Sequence, residues 1–335
     1  MSHFRPNVDA DLARMTHFSE ITQVSIITPD REATVDVLHA ALGPGGFKMV
    51  TFGPPELFDQ TYAGQPEAWS FDAALTWIGD MQLEVIQPHL HTRSVYADYL
   101  KLHGDRAGIE HIFLQRRTGS LDDAIDALSE AGIGWRQGAR MNAAGRLGRL
   151  PLPAMPSFLA KKYAAHFGYT SSQDALKVDL ELASFPPGVS QRFALRAAIP
   201  ERWVPAKVDP KHFEGMPDEA VLRDIFGVGL LVHNLAETCK RYERLTDKPL
   251  VVRRFAGDPF AGQGEFATIG FATSVLHLIE PHEGPLRAGL DRWGEGVRLL
   301  QGQVQGGPEA LREHGWTHFG SLALHPDVPF ALATV

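Results

Sequence analysis

Cysteine is almost absent from this sequence, which has a single one, Cys239, among 335 residues. One cysteine excludes an intrachain disulfide and any zinc site that needs several thiolates. The first thirty residues carry several charges and no apolar run of signal-peptide length. These two observations predict a cytoplasmic protein in a reducing compartment.

An excess of basic residues is also missing. The 32 Lys and Arg residues are outnumbered by 40 Asp and Glu residues, which gives a formal net charge of −8. Nucleic acids and anionic membranes attract clustered Lys and Arg, and no stretch approaches the roughly eighteen apolar residues of a membrane span. We therefore expect a small-molecule partner, no nucleic-acid or membrane partner, and a monomer or homodimer.

The sequence contains a long internal repeat. Similar segments recur in the same order, each beginning with a β-branched strand that leads into a capped amphipathic helix. The matched pairs are 23–42 with 227–245, 83–88 with 276–281, and 104–114 with 294–304. Several matches in one order indicate a duplication.

Within the first copy, the opening strand and helix recur at 109–131. The pattern predicts an α+β fold of paired βαβββ modules, each pair forming a half-barrel, with the pair duplicated in one chain. The predicted divisions are a first domain at 18–190 with an insertion at about 140–174, a Pro-rich linker at 191–224, and a second domain at 225–335.

The order of pieces in the first copy resembles the vicinal oxygen chelate superfamily, whose members include glyoxalase I, methylmalonyl-CoA epimerase and extradiol dioxygenases. The nearest textual similarity is to methylmalonyl-CoA epimerase, in the segments 83–88, 94–100, 103–104 and 108–112. The resemblance covers about 20–115 well and 116–185 loosely. It covers 225–335 only as a degenerate copy.

This resemblance implies a metal site with ligands on the first and last strands of each module. Carried over by position, the ligands are Gln23, Glu84, His111 and Glu181. The epimerase pattern has histidine in place of Gln23 and an amide in place of Glu84. One amide, one histidine and two glutamates look instead like the ligand set of glyoxalase I from animals.

In the second copy, the equivalent positions read Gly227, His277, Leu299 and Ala331. Glycine, leucine and alanine have no side-chain donor for a metal. We therefore expect the second domain to be a degenerate scaffold without metal ligands, in which His277 is a satisfied core or surface histidine.

The residue pattern, considered without the resemblance, also favours a metal site. Glu84 and Glu181 each stand between apolar neighbours in a predicted strand, so each glutamate faces away from those neighbours. A carboxylate inside a barrel needs a cation or several hydrogen bonds. The alternative is that both are ordinary solvent-facing strand residues.

The ligand set predicts Lewis-acid chemistry at one divalent ion, with Zn, Ni, Co, Mn and Fe left open. We expect an isomerase or epimerase, of the glyoxalase or epimerase type, that removes a proton beside a metal-bound carbonyl. Glu181 or Glu84 would be the catalytic base. The substrate would carry a carbonyl or vicinal oxygens. The alternatives are a non-haem Fe(II) extradiol-type dioxygenase, a metal-dependent lyase and a non-catalytic small-molecule binder.

The insertion at about 140–174 is longer than the hairpin that the resemblance implies. Long insertions between site strands often select the substrate. The predicted substrate-binding residues in it are Arg149, Lys161, Tyr163 and His166, and 158–167 has the pattern of a short amphipathic helix. The alternative is a solvated surface helix.

Overall fold

A computed structural model describes residues 11–43, 46–55, 57–117, 120–142, 164–185, 202–204 and 220–334. In the first half of the chain, the elements are β1 (Ala13–Arg14), β2 (Phe18–Ile27), α1 (Arg31–Leu42), β3 (Phe47–Phe52), β4 (Leu57–Tyr62), β5 (Gln65–Pro66), β6 (Phe71–Ile78), β7 (Met81–Pro88), α2 (Val95–His103), β8 (Gly108–Arg116), α3 (Leu121–Glu130), β9 (Gly134–Asn142), β10 (Ala164–Ser171), α4 (Gln173–Leu176) and β11 (Asp179–Ser184).

The second half continues the numbering. Its elements are β12 (Arg202–Val204), β13 (Leu222–Leu231), α5 (Leu235–Tyr242), β14 (Arg253–Ala256), β15 (Gln263–Gly270), β16 (Val275–Glu283), α6 (Pro285–Trp293), β17 (Gly296–Val304), α7 (Pro308–Arg312), β18 (Thr317–Phe319), β19 (Leu322–Leu324) and β20 (Ala331–Thr334). Within the described residues, no helix has the length and apolar composition that a bilayer crossing requires.

Helices α1 and α5 begin in the same way. The Asp30 side chain accepts a hydrogen bond from the backbone N–H of Ala33, and the Asn234 side chain accepts one from Glu237. Both caps are extended, with φ −138° and −141°. These side chains satisfy N–H groups that the first helical turn leaves unpaired.

The described strands follow a fourfold βαβββ pattern. The modules are β2-α1-β3-β6-β7, β8-α3-β9-β10-β11, β13-α5-β14-β15-β16 and β17-α7-β18-β19-β20. The first sheet has the order β12-β3-β6-β7-β2-β8-β11-β10-β9-β4-β5. The second runs β1-β15-β16-β13-β17-β20-β19-β18, with β14 paired to β15.

The two sheets share one internal symmetry. In each, the first strands of two modules pair antiparallel at the centre, β2 with β8 and β13 with β17. Each first strand also pairs in parallel with the last strand of its own module. The predicted α+β fold of duplicated βαβββ modules is therefore confirmed.

Two short strands cross the predicted domain divisions. Strand β1 lies before the first module, yet it pairs with β15, with Ala13 opposite Ile269. Strand β12 lies in the predicted linker, yet it pairs with β3. The tryptophan Trp316 further ties the halves together, because its Nε1 donates a 2.8 Å hydrogen bond to the carbonyl of Ala41.

The helix predicted at 158–167 is wrong in its last part. Residues 158–163 lie outside the described residues, but Ala164–Ser171 forms β10, paired antiparallel with β9 and β11. Most of its residues are buried on both faces, with only His166 partly exposed and Ser171 exposed, so the segment lacks the polar face that an amphipathic surface helix would show. Because β10 has a paired strand on each side, its backbone N–H and C=O groups are hydrogen-bonded as completely as they would be in a helix.

Candidate metal centre

Four adjacent strands carry the four predicted metal ligands. Gln23 is on β2, Glu84 on β7, His111 on β8 and Glu181 on β11, and the sheet order is β7-β2-β8-β11. Ser25 is the register partner of both Glu84 and His111, so these side chains share one face of the sheet. The structure thus brings all four side chains into one buried cluster.

The donor atoms of this cluster lie close together. Ligand atoms of Glu84, His111 and Glu181 are within 4.8 Å of one another. Nε2 of His111 lies 3.3 Å from Oε2 of Glu181 and 3.7 Å from Oε2 of Glu84. Nε2 of Gln23 donates to Glu84 at 2.7 Å and to Glu181 at 3.2 Å.

Sequence reasoning missed Ser25. Its hydroxyl donates a 2.6 Å hydrogen bond to Oε2 of Glu84 and accepts one of 2.9 Å from Nε2 of Gln23. The spacing could have shown it, because Ser25 lies two residues after Gln23 and therefore on the same strand face. Ser25 fixes the carboxylate of Glu84 in place.

Glu110 was also missed. Its Oε2 is hydrogen-bonded to Nδ1 of His111 at 2.6 Å, and both side chains are buried. A carboxylate partner favours the proton on Nδ1, so Nε2 is the ring nitrogen that faces the cluster and would bind an ion once it has lost its proton. The available signal was a charged residue inside an otherwise apolar strand, directly before the histidine.

Burial and neighbouring charges act in opposite directions on the pKa values of the cluster. Burial raises the pKa of Glu181, and the neighbouring His111 offsets part of that rise. Burial lowers the pKa of His111, but the hydrogen bond to Glu110 and the nearby carboxylates of Glu181 and Glu84 outweigh it and raise that pKa well above its ordinary value. Glu110 also contributes, after burial, to a raised pKa for Asp179.

The cluster fits a divalent cation. Nε2 of His111 is buried without a hydrogen-bond partner, and two buried carboxylates converge beside it. Ligands bonded at about 2.0–2.2 Å lie roughly 3–4 Å apart, which matches the 3.3 and 3.7 Å that separate Nε2 of His111 from Glu181 and Glu84. The amide of Gln23 completes the donor set, because rotation about its last bond exchanges oxygen and nitrogen.

The equivalent region of the second domain has a different composition. The register places Gly229 opposite both His277 and Leu299, as Ser25 lies opposite Glu84 and His111. The register also places Ala333 opposite Gln301. Ala333 is therefore the residue equivalent to Glu181, and the predicted equivalence with Ala331 is wrong by two residues. The error arose because a short apolar strand gives no local sign of its register.

His277 has two partners in this region. Its Nδ1 is 3.0 Å from the hydroxyl of Thr268, and its Nε2 is 3.0 Å from Oε1 of Gln301. Both ring nitrogens are therefore satisfied, as expected of a core histidine. Burial lowers the pKa of His277.

A cavity opens from the cluster of candidate ligands. Gln23, Glu84 and Glu181 lie at one end, and its other walls are mostly aromatic and apolar. Those walls consist of Phe52, Phe71, Phe113, Met141, Ala165, Phe167, Tyr169, Ala183 and Phe185. The cavity gives the candidate metal centre a binding chamber.

No described residue among the four predicted substrate-binding residues of the insertion lines this cavity. Arg149, Lys161 and Tyr163 lie outside the described residues. His166 lies on β10 between two cavity-lining residues and so points to the opposite face, where its ring contacts Trp135 with centroids 6.3 Å apart. The role of the insertion stays a prediction.

No protein-family model matches the chain, and no curated protein matches it in sequence. The structure is similar to that of a triple mutant of 4-hydroxymandelate synthase from Streptomyces coelicolor. The TM-score is 0.55 and the identity 18%, with 90% of this chain and 76% of that chain covered. This likeness concerns the fold.

A second similar structure is a xylose isomerase-like TIM barrel/4-hydroxyphenylpyruvate dioxygenase fusion protein. The TM-score is 0.46 and the identity 13%, and the match covers 90% of this chain but 39% of the fusion protein. The first of these two structures agrees with the duplicated βαβββ fold described above. It does not support the glyoxalase or epimerase subtype that the sequence suggested.

Proposed function

We propose that the protein is a divalent-metal-dependent isomerase or epimerase that moves a proton beside a carbonyl. The observation that supports this most is the convergence of one imidazole, two carboxylates and one amide at the end of an otherwise apolar cavity. Gln23, Glu84, His111 and Glu181 would hold the ion. When bound, a divalent ion polarises a substrate carbonyl and stabilises negative charge on its oxygen.

Glu181 is the better candidate for the catalytic base. Ser25 and Gln23 hold Glu84 through hydrogen bonds of 2.6 and 2.7 Å, whereas Glu181 has longer contacts, 3.2 Å to Gln23 and 3.3 Å to His111. Glu181 also lines the cavity. The less tightly held carboxylate can turn toward a substrate C–H, accept its proton and return it to the other face of the carbon.

The neighbours of the cluster would keep its other groups still. Glu110 orients the ring of His111, and Ser25 orients Glu84. The surrounding phenylalanines exclude water from the reacting end of the cavity. The substrate would be a small molecule with a carbonyl or vicinal oxygens.

A second candidate is a non-haem iron(II) dioxygenase. The likeness to 4-hydroxymandelate synthase favours it, because that name describes the synthesis of a hydroxylated acid rather than an isomerisation. The donor set opposes it. Iron(II) oxygenases of the facial-triad type use two histidines and one carboxylate, whereas the described cluster has one histidine, with Gln23 on the first strand.

The metal site can be tested by metal analysis and calorimetric titration of the purified full chain with Zn²⁺, Mn²⁺ and Fe²⁺. We expect one ion per chain in the unchanged protein and loss of that ion in Glu181→Ala and His111→Gln. His277→Gln is the matched control, since His277 is a buried histidine in the second domain. Equal metal binding by the two histidine variants would refute the site.

The reaction can be tested with hydroxyacetone, a small compound with a carbonyl and a vicinal hydroxyl. In D₂O, the metal-loaded protein should exchange its hydrogens beside the carbonyl for deuterium without consuming O₂, and Glu181→Gln should not. Oxygen consumption that requires Fe²⁺ would favour the dioxygenase. Metal binding without exchange or oxygen consumption would favour a non-catalytic binder.

A further inference from the structure

We infer that the substrate is a compact aryl or similarly apolar compound whose only strongly polar part is the oxygen-bearing group at the metal end. This inference rests on the proposed function and narrows its substrate class. Five phenylalanines line the cavity beyond the ligands. They are Phe52, Phe71, Phe113, Phe167 and Phe185.

The strands explain why these rings face the cavity. Phe113 follows His111 by two residues on β8, and Ala183 follows Glu181 by two on β11, so both continue the face that carries the ligands. Ala183 lies opposite Phe167 in the sheet. The chamber therefore extends from the ligands along β8, β10 and β11, with small side chains leaving room beside large ones.

The aromatic wall is held in place by further rings. Phe52 and Phe71 are stacked with centroids 4.9 Å apart, and the fully buried Trp69 packs edge-on against Phe167 at 6.1 Å. Aromatic rings in such contacts present fixed faces and edges to a ligand. A wall of this kind suits a planar ring better than a flexible polar chain.

The charge distribution gives the second half of the argument. Among the described residues that line the cavity, the charged groups are Glu84 and Glu181, and none is basic. A remote carboxylate or phosphate would lose its hydration there without gaining a cationic partner. Among the described lining residues, a coenzyme A thioester would find no cationic partner for its several phosphates.

Calorimetric binding of hydroxamates to the metal-loaded full chain tests this inference without relying on turnover. Benzohydroxamate and acetohydroxamate present the same two oxygens and differ in the apolar group. We expect benzohydroxamate to bind at least about tenfold tighter, because its ring is buried among the phenylalanines. 4-Carboxybenzohydroxamate should bind at least about tenfold more weakly than benzohydroxamate.

Ala183→Phe should remove the aryl preference, because its ring fills the chamber that the aryl group would occupy. Ala165→Leu is a milder second variant, with folding of both checked by circular dichroism. Phe319→Ala is the control, because Phe319 is an exposed ring in the second domain. The control should retain the preference.

The outcomes separate this inference from the proposed function. If metal titration shows no bound ion, both are refuted. If the ion binds but the two hydroxamates bind equally, or the carboxylated compound binds best, the substrate class alone is refuted. An aryl preference that survives in both cavity-filling variants would also refute it.

Discussion

Replacing Glu181 with glutamine should stabilise the metal-free protein while removing its response to metal. In the metal-free state, Glu84 and Glu181 place two carboxylates within 4.8 Å of each other in a buried cluster. Glutamine has nearly the same shape and can still form hydrogen bonds, so the change removes charge rather than packing. The free energy of unfolding should therefore rise.

Burial decides the sign of the effect. Two unit charges 4.8 Å apart repel by about 3.5 kcal/mol at an effective dielectric constant of about 20, and protonated His111, 3.3 Å from Glu181, attracts its carboxylate by about 5 kcal/mol on the same scale. These charge interactions largely cancel, and burial of the Glu181 carboxylate, which raises its pKa, outweighs what remains. We expect a net gain of about 1–2 kcal/mol in the free energy of unfolding, which corresponds to roughly 2–4 °C in melting temperature per kcal/mol.

Bound metal should make the unchanged protein more stable than Glu181→Gln. An ion that binds the native state at a hundred times its dissociation constant adds about 2.7 kcal/mol to the unchanged protein. Glu181→Gln should gain much less, because it lacks one ligand. Thermal denaturation with EDTA and with saturating Zn²⁺ or Mn²⁺ measures both halves of the prediction.

Glu283→Gln is the matched control, because Glu283 is exposed at the end of β16. It should change the free energy of unfolding by no more than about 0.5 kcal/mol in either condition. If Glu181→Gln were less stable than the unchanged protein in EDTA and gained equally from metal, the electrostatic reasoning would be refuted.

Three further predictions concern other contacts. Glu110→Gln should weaken metal binding about 10–100-fold in calorimetry by loosening the orientation of His111, and unaltered affinity would contradict the positioning role. Asp30→Ala and Asn234→Ala should each lower the free energy of unfolding in urea by about 1 kcal/mol, because both residues cap equivalent helices. A loss of stability in only one variant would show that the two caps are not energetically equivalent. Burial lowers the pKa of His277 in the folded state. As the pH drops below 6.5, the histidine is therefore protonated in the unfolded state before it is protonated in the folded state, and the free energy of unfolding should fall. His277→Gln should lack this component in pH-dependent melting, and identical pH profiles would count against it.

Much of the site was predictable from strand alternation and from the resemblance to a known superfamily. Alternation placed Glu84 and Glu181 opposite their apolar neighbours, and the resemblance implied the positions of all four candidate ligands, including Gln23 and His111. Ser25 and Glu110 were missed because a hydroxyl or a second carboxylate beside a ligand has no spacing signature of its own. Their roles depend on which atoms meet across the sheet.

The register of the last strand shows the same limit. The sequence pattern assigned Ala331 to the position that β17 and β20 give to Ala333. Ala331 and Ala333 are identical residues in one short strand, so the local sequence does not distinguish them. Only the pairing with another strand does. The strand β10 was likewise decided by its partners β9 and β11 rather than by its own pattern.

The sequence by itself determined the modules and the helix caps, since hydrophobic period and capping act over a few neighbouring residues. Its resemblance to a known superfamily implied the positions of the candidate metal ligands. Only the tertiary structure decided that the four ligands meet, which residues support them, and that an aromatic chamber without described basic residues opens beside them. Those properties depend on distances between side chains far apart in the chain, which strand pairing and packing alone fix.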